Sequence, residues 1–522
     1  MSSTQFTLTN EGTASIAGGH GAAGGANHQG GAGGAAVYGT YLALTNKDSA
    51  SITGGAGGDG GTGNTGGAGG AGAVAVGGTQ FTLTNQDSAS ITGGAGGSGR
   101  DVDTNSYGYT GGAGGAGAVA VSGTQFTLTN SSSTSITGGA GGDGYTGGVG
   151  GAGGAAVAGS AITLTNGGTI TGGAGGAGGA GNPVDEVDGA AGIGGIGISL
   201  AGSSTITTSG TISGGLGGDG LTRANAVAFS GGGNTLILES GYSMVGNVVS
   251  TSGALNGGDT LTLGGAASAT FDVAQIVAIV PGSYSGTTQY SGFTNYTKTG
   301  FGTWTLTGTT SAVTSWTVAA GTLSVSSDGN LGDASGLLTL NGGSLAATDT
   351  FSSVRGVTLG ALGGTIDVSS GKTLTLSSVV GGNGALAVGG TGSLVLTGDN
   401  TYTGSTSVNG GTLSIAAGGS VSGGVGTIGG GTGTTGTATV TGTGSTWVLG
   451  GNSLTVGDFG SGTLNVESDG TVTSGDGILG NQTGSNGTAT VTGSGSTWDL
   501  GAIASMSVTT AAVRSMSKPA VR

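Results

Sequence analysis

One short grammar recurs through the first two hundred residues: an alternating strand ending in asparagine, a polar corner, a second strand, then a run of glycine. The stretch "TQFTLTNQDSASITGGAGG" from Thr79 to Gly97 is nearly copied by "TQFTLTNSSSTSITGGAGG" from Thr124 to Gly142, and more loosely from Thr4 to Gly19. The "TLTN" element or a variant ends at Asn10, Asn46, Asn85, Asn130 and Asn166, at spacings of 36, 39, 45 and 36. A third strand precedes the later copies: "AAVYG" at Ala35, "AVAVGG" at Ala73, "AVAVSG" at Ala118 and "AAVAGS" at Ala155. From Ala73 to Gly94, 22 residues hold three short strands and three corners, about what one coil of a three-sided β helix takes. Repetition at such a period marks a solenoid, in which each unit buries only a strip against its neighbours.

Composition agrees. The chain has 133 glycines in 522 residues and 6% charged residues. Glycine loses the most backbone entropy on folding, so a compact globule of this make-up would be hard to stabilise. Collagen spacing and proline are missing, and ordered alternation of Val, Ile, Leu and Thr argues against disorder. The remaining 14 to 23 residues of each unit are glycine-rich and are expected to leave the coil as loops, whose length varies freely. The net charge of −15 speaks against a nucleic-acid partner, which needs clustered cations. Without cysteine there are neither disulfides nor thiolate metal sites.

Alternation assigns faces. In "TQFTLTN", Phe81, Leu83 and Asn85 share one side and Thr82 and Thr84 the other. Phe and Leu point inward and threonine outward, which leaves Asn85 inside at a corner. Stacked with Asn10, Asn46, Asn130 and Asn166, it is expected to form a ladder of side-chain amides, each donating to the next. The plainer alternative is an Asx turn after each strand.

Around Gly231 the grammar changes. "KTGFGTWTLTGTTSAVTSWTVAAGTLSV" from Lys298 recurs as "GGTGSLVLTGDNTYTGSTSVNGGTLSI" with an offset of 90. "GTATVTGTGSTWVLG" at Gly436 returns as "GTATVTGSGSTWDLG" at Gly487, 51 residues on, and "GTLNVESDGTV" at Gly462 supplies a half-step near 25. Short alternating strands with Gly, Asn, Asp or Ser corners run throughout. The expected fold is all-β: a right-handed parallel β-helix with glycine-rich loops. Its expected segments are glycine-rich repeats (1–215), transitional coils (216–297), a second repeat type (298–435), 51-residue repeats (436–501) and an irregular tail (502–522), read as a truncation or shifted frame.

The second grammar, with Tyr402 to Gly404 in its "LTGDNTYTGSTSVNGGTL" core, resembles the passenger-associated repeats of bacterial autotransporters. The 51-residue repeat is similar to one found in autotransporter adhesins. The resemblance covers roughly Gly231 to Gly501. It implies a secreted β-helical passenger, and a full-length parent with a signal peptide and an outer-membrane barrel, neither of which is visible here. It further implies cell-surface or secreted localisation and a rod-like adhesin or aggregation factor. The expected partners are host or bacterial surface molecules, glycans among them, or further copies of the chain. Two alternatives are a polysaccharide-processing enzyme on the same helix and a glycine-rich surface protein of the mycobacterial PGRS sort.

No catalytic, cofactor or metal site is assigned. His20 and His28 lie in one glycine-rich stretch, and a Ser-His-Asp triad would have to use one of them. The acidic clusters Asp101 with Asp103, and Asp185, Glu186 and Asp188, read as solvated loop tips rather than a general acid-base pair. The calcium-roll pattern "GGxGxDxUx" is met or nearly met around Asp59, Asp143 and Asp219, but these lie 84 and 76 residues apart, so they are weak calcium candidates. The four tryptophans recur with the repeats and are assigned to the interior.

Overall fold

The computed structural model describes residues 6–101, 110–181, 187–278, 282–501 and, as backbone, 506–508. They are all-β: short strands stack in parallel sheets, and the helical segments among the described residues are 3-10 turns such as Asp328–Leu331. Two compact units form, Met1–Thr262 with Gln275–Thr294, and Leu263–Ala274 with Asn295–Arg522.

In the first unit each coil gives one strand to each of three sheets. The first sheet stacks Phe6–Asn10, Leu42–Asn46, Thr82–Asn85, Thr127–Asn130, Thr163–Asn166 and Thr205–Thr208. The second stacks Ser15–Ala17, Ser51–Thr53, Ser90–Thr92, Ser135–Thr137, Thr169–Thr171 and Thr211–Ser213; the third includes Val37–Thr40, Val76–Thr79, Val121–Thr124 and Val157–Ser160. Pairing is strictly in register, Leu44 on Leu83 on Leu128 on Leu164, and Ile52 on Ile91 on Ile136 on Ile170. With Val76 on Val121 on Val157 from the third sheet, three aliphatic rows fill the bore, and these residues are enclosed. Each buried Leu, Ile or Val stabilises by ~1.5–3 kcal/mol, and the branched ones also fit the pleat. At one corner Phe81 and Phe126 stack at 4.4 Å with planes 10° apart.

The glycine-rich stretches lie outside the three sheets, yet they are not the solvated loops that the sequence reading expects. Each runs outward from the second sheet and returns to the third. In the outbound Gly-Gly-X triplets, the first glycine donates to the same run in the next coil: Gly54 to Thr92, Gly57 to Ala95, Gly60 to Ser98. The second glycine donates across to the return run of the preceding coil: Gly55 to Gly34, Gly58 to Gly31, Gly61 to His28. The return run bonds back to its own outbound run (Gly70 to Gly58, Ala73 to Gly55) and on to the next coil (Gly69 to Ala113, Gly72 to Ala116). These bonds measure 2.7–2.9 Å. The three-residue period is that of a polyproline II chain, which cannot bond internally and so must bond to neighbours. The result is a two-layer slab. A Cβ on Gly57, Gly58 or Gly70 would stand inside contact distance of the Gly70, Ala22 or Gly31 carbonyl respectively, so only glycine permits this approach. The X residues carry the side chains outward.

In the second unit the coils are shorter and the sheets continue parallel. Thr435 pairs with Ser461 and Ser461 with Asn486, so the 51-residue repeat is two coils. Trp304, Trp316, Trp447 and Trp498 are all buried. A glycine makes room for each of the last two: a Cβ at Gly426 would press on the Trp447 ring, and one at Gly477 on Trp498. Tyr402 is enclosed, its hydroxyl 2.7 Å from Thr406 Oγ1.

Candidate functional site

Because the strands stack in register, residues far apart in sequence become neighbours one coil apart. The structure places Asn10, Asn46, Asn85, Asn130 and Asn166 one above another at the end of the first-sheet strands, all buried. Each Nδ2 donates to the next Oδ1: Asn10 to Asn46, Asn46 to Asn85 and Asn85 to Asn130 at 2.9 Å, Asn130 to Asn166 at 2.8 Å. The second amide proton reaches a carbonyl at the start of the second-sheet strand, as Asn46 does with Ser90 at 3.0 Å. Asn166 passes the series to Thr208 Oγ1 at 3.2 Å. The row ties two faces of the coil together.

Asp59 and Asp143 are X residues on the outer face of the slab, separated by one coil. Asp59 Oδ1 accepts from Ser98 N at 3.0 Å and Asp143 Oδ1 from Ala177 N at 2.8 Å, so each takes up the spare N–H of the next X residue. Asp59 also pairs with Arg100. The two carboxylates, Ser98, Arg100, Tyr145 and Thr146 edge one open depression of about 590 Å³. Asp219 is outside that lining. Its Oδ1 accepts from Leu221 N, Thr222 N and Thr222 Oγ1, which hold the carboxyl below its usual range. No group of three or more His, Cys, Asp or Glu gathers in metal-binding geometry among the described residues. His20 and His28 are exposed on the slab. Asp101 accepts from Thr146 Oγ1 and Asp188 from Gly181 N, while Asp103, Asp185 and Glu186 fall outside the described residues.

The outer face of the first sheet is a regular surface. Thr82, Thr127, Thr163, Thr205 and Thr235 form one rank and Thr45, Thr84, Thr129, Thr165 and Thr207 a second, all at least partly exposed. Ranks lie ~6.6 Å apart along the strand and rungs ~4.8 Å apart between coils. The ranks carry no charge. The return layer of the slab is different: its outward rows are Ala113, Val149 and Ala190, and Ala116, Ala152 and Ile193, with Val149 and Ile193 well exposed.

Three buried ionic groups escape sequence reasoning. Asp259 accepts from Asn234 N and Nδ2 and from the Ser250 and Ser252 hydroxyls. Arg355 spans Asp328, at 3.1 Å, and the carbonyls of Gly332 and Gly336. Lys298 gives its Nζ to the carbonyls of Thr299, Gly300 and Ala320. Each is an isolated charge in an apolar repeat, a local signal; Asp259 and Arg355 meet partners 19–27 residues earlier, and Lys298 joins two adjacent carbonyls to that of Ala320.

Burial pushes Lys298 down from the ordinary 10.5 to about 8. The unfolded chain therefore binds more protons between those values, and stability is expected to rise with pH across that window, by up to ~3 kcal/mol. Denaturant melts from pH 8 to 9.5 should show this slope, and Lys298→Met should flatten it. Buried Tyr296 and Tyr402, whose phenols are pushed up by burial, act in the opposite direction above pH 10, so the comparison belongs below it.

The chain is a parallel β solenoid with in-register polar ladders and regular surface ranks. The passenger-associated-transport-repeat family matches residues 297–325 and 386–415. In these segments the chain is similar to autotransporter passenger domains. Over 185 residues, 34% of the chain, it is 33% identical to the adhesin BmaC autotransporter of Brucella suis biovar 1 (strain 1330). The match spans 5% of that relative's length. No solved structure matches the chain.

Proposed function

We propose that this chain is the adhesive part of a surface-displayed autotransporter, binding other surfaces through many weak contacts rather than through catalysis. The observation that carries this is the uncharged double rank of threonines, repeated rung after rung on a rigid sheet, in a chain similar to an autotransporter adhesin. A single rung binds weakly. Rungs held at fixed spacing engage together, and linked sites gain avidity without any strong pocket. The rest of the parent would supply export and an outer-membrane barrel, leaving the solenoid at the cell surface.

The test is display of the chain on a non-adherent bacterium. Attachment to host-cell layers, or clumping, should rise several-fold over the same strain without it. The triple variant Thr84→Val, Thr129→Val, Thr165→Val keeps the branched shape and removes three hydroxyls of one rank. It should lose most of that gain with its unfolding curve unchanged. Attachment no higher than the background strain would sink the reading.

A further inference from the structure

In the first unit the excursion 282–289 folds back on the 242–247 segment and edges an open pocket of about 280 Å³. Its wall carries three tyrosines, Tyr242, Tyr284 and Tyr290, with Gln275, Ser243 and Thr288 among them. No acidic or basic side chain lines it among the described residues. Hydrogen bonds tie these walls together. Buried Asn247 donates from Nδ2 to Gly282 O at 3.0 Å and accepts from Gln289 N at 3.2 Å. Thr288 Oγ1 donates to Met244 O at 2.8 Å, and the Tyr284 hydroxyl to Gly286 O at 2.9 Å. Tyr290 is enclosed and bonded to Tyr242.

We propose that this pocket binds one neutral pyranose unit of a glycan. This rests on the adhesin reading and names the receptor chemistry for it. Tyr290 is enclosed, so the partly exposed rings of Tyr242 and Tyr284 are the apolar platform for the C–H face of a sugar ring, while phenol, carboxamide and hydroxyl groups take its hydroxyls. A sialic acid or a sulfated sugar would bury its charge here without a counter-ion, at a cost that a neutral sugar does not meet. The volume falls just below the ~300–1,000 Å³ of pockets for drug-sized ligands, which suits a single ring. The threonine ranks and the pocket then divide the work: many weak contacts for residence, one site for choice.

The experiment applies the full chain to an immobilised panel of neutral hexose-terminated, sialylated and sulfated oligosaccharides, alongside Tyr284→Ala and Gln275→Ala. Wild type should retain neutral members of the panel, and each variant should bind at least tenfold more weakly with an unchanged unfolding curve. Preference for the anionic members, no retention at all, or equal binding by the variants overturns the inference. Cell attachment of the same proteins separates the two ideas. Attachment unchanged in both pocket variants removes the pocket and leaves the adhesin; sugar binding without attachment does the reverse.

Discussion

Replacing Gly115 by alanine is expected to cost about 3 kcal/mol or more, far beyond what one methyl group does in a flexible loop. The added Cβ would stand against the Gly70 carbonyl in the neighbouring coil. The backbone at Gly115 is already committed twice: its N–H donates to Gly97 O and its carbonyl accepts from Gly142 N, both at 2.8 Å. Relief requires the layers to part, so the damage spreads to coils on both sides. The adjacent X residue is the control: Ala116 faces outward, and Ala116→Ser should change stability by less than ~0.5 kcal/mol. Hydrogen exchange at Gly70, Gly115 and Gly142 reads the effect locally. Equal tolerance of the two changes would mean that the glycine runs are not packed.

The second large effect is at Asn85. Its side chain accepts from Asn46 and donates to Asn130, both at 2.9 Å, and it is wholly buried. Asn85→Ala removes two rungs and is expected to cost ~2–4 kcal/mol, tempered because Asn46 keeps the Ser90 carbonyl and Asn130 keeps the Thr134 hydroxyl. Asn85→Asp is the sharper test. A carboxylate there faces the Asn130 oxygen and the carbonyls of Ala89 and Ser135, all acceptors. Its folded-state pKa must rise above the unfolded ~3.9, so the folded form binds the extra proton and the variant regains stability as pH falls below neutrality. Denaturation at pH 7 and pH 4 should show the aspartate variant less stable than Asn85→Ala at the first and recovering at the second. An aspartate variant indifferent to pH would mean that the amide row contributes nothing.

The parallel coils and inward aliphatic rows are legible because side-chain alternation has a period of two and the repeats align themselves. Leu83 and Ile91 announce their burial through their copies. The slab is not legible in the same way, although "GGAGGAGGA" shows its period of three openly. Glycine is ambiguous: it serves both free loops and backbones packed at carbonyl distance, and only the partner carbonyls decide between them. The roles of Asp59 and Asp143 were hidden likewise. Their 84-residue separation argues against a shared site, yet stacking brings them to one depression with a single coil between. The pocket tyrosines come from separate stretches of a region with no repeat, so no periodicity could gather them.

The corner asparagines, and the residues paired to them further on, fall at 10, 46, 85, 130, 166, 208 and 238. The intervals are 36, 39, 45, 36, 42 and 30, every one divisible by three. Within each layer the chain advances in triplets, since one stray residue there would turn a methyl group into the glycine interface, whereas the tips joining the layers vary, from Tyr145 to Gly148 up to Arg100 to Gly112, with Gly179 to Gly189 off the triplet step. The width of the projecting plate is thus stepwise rather than continuous. Grafted segments of any length should be accepted at its rim, and those within the layers only in whole triplets, without any change to the bore beneath.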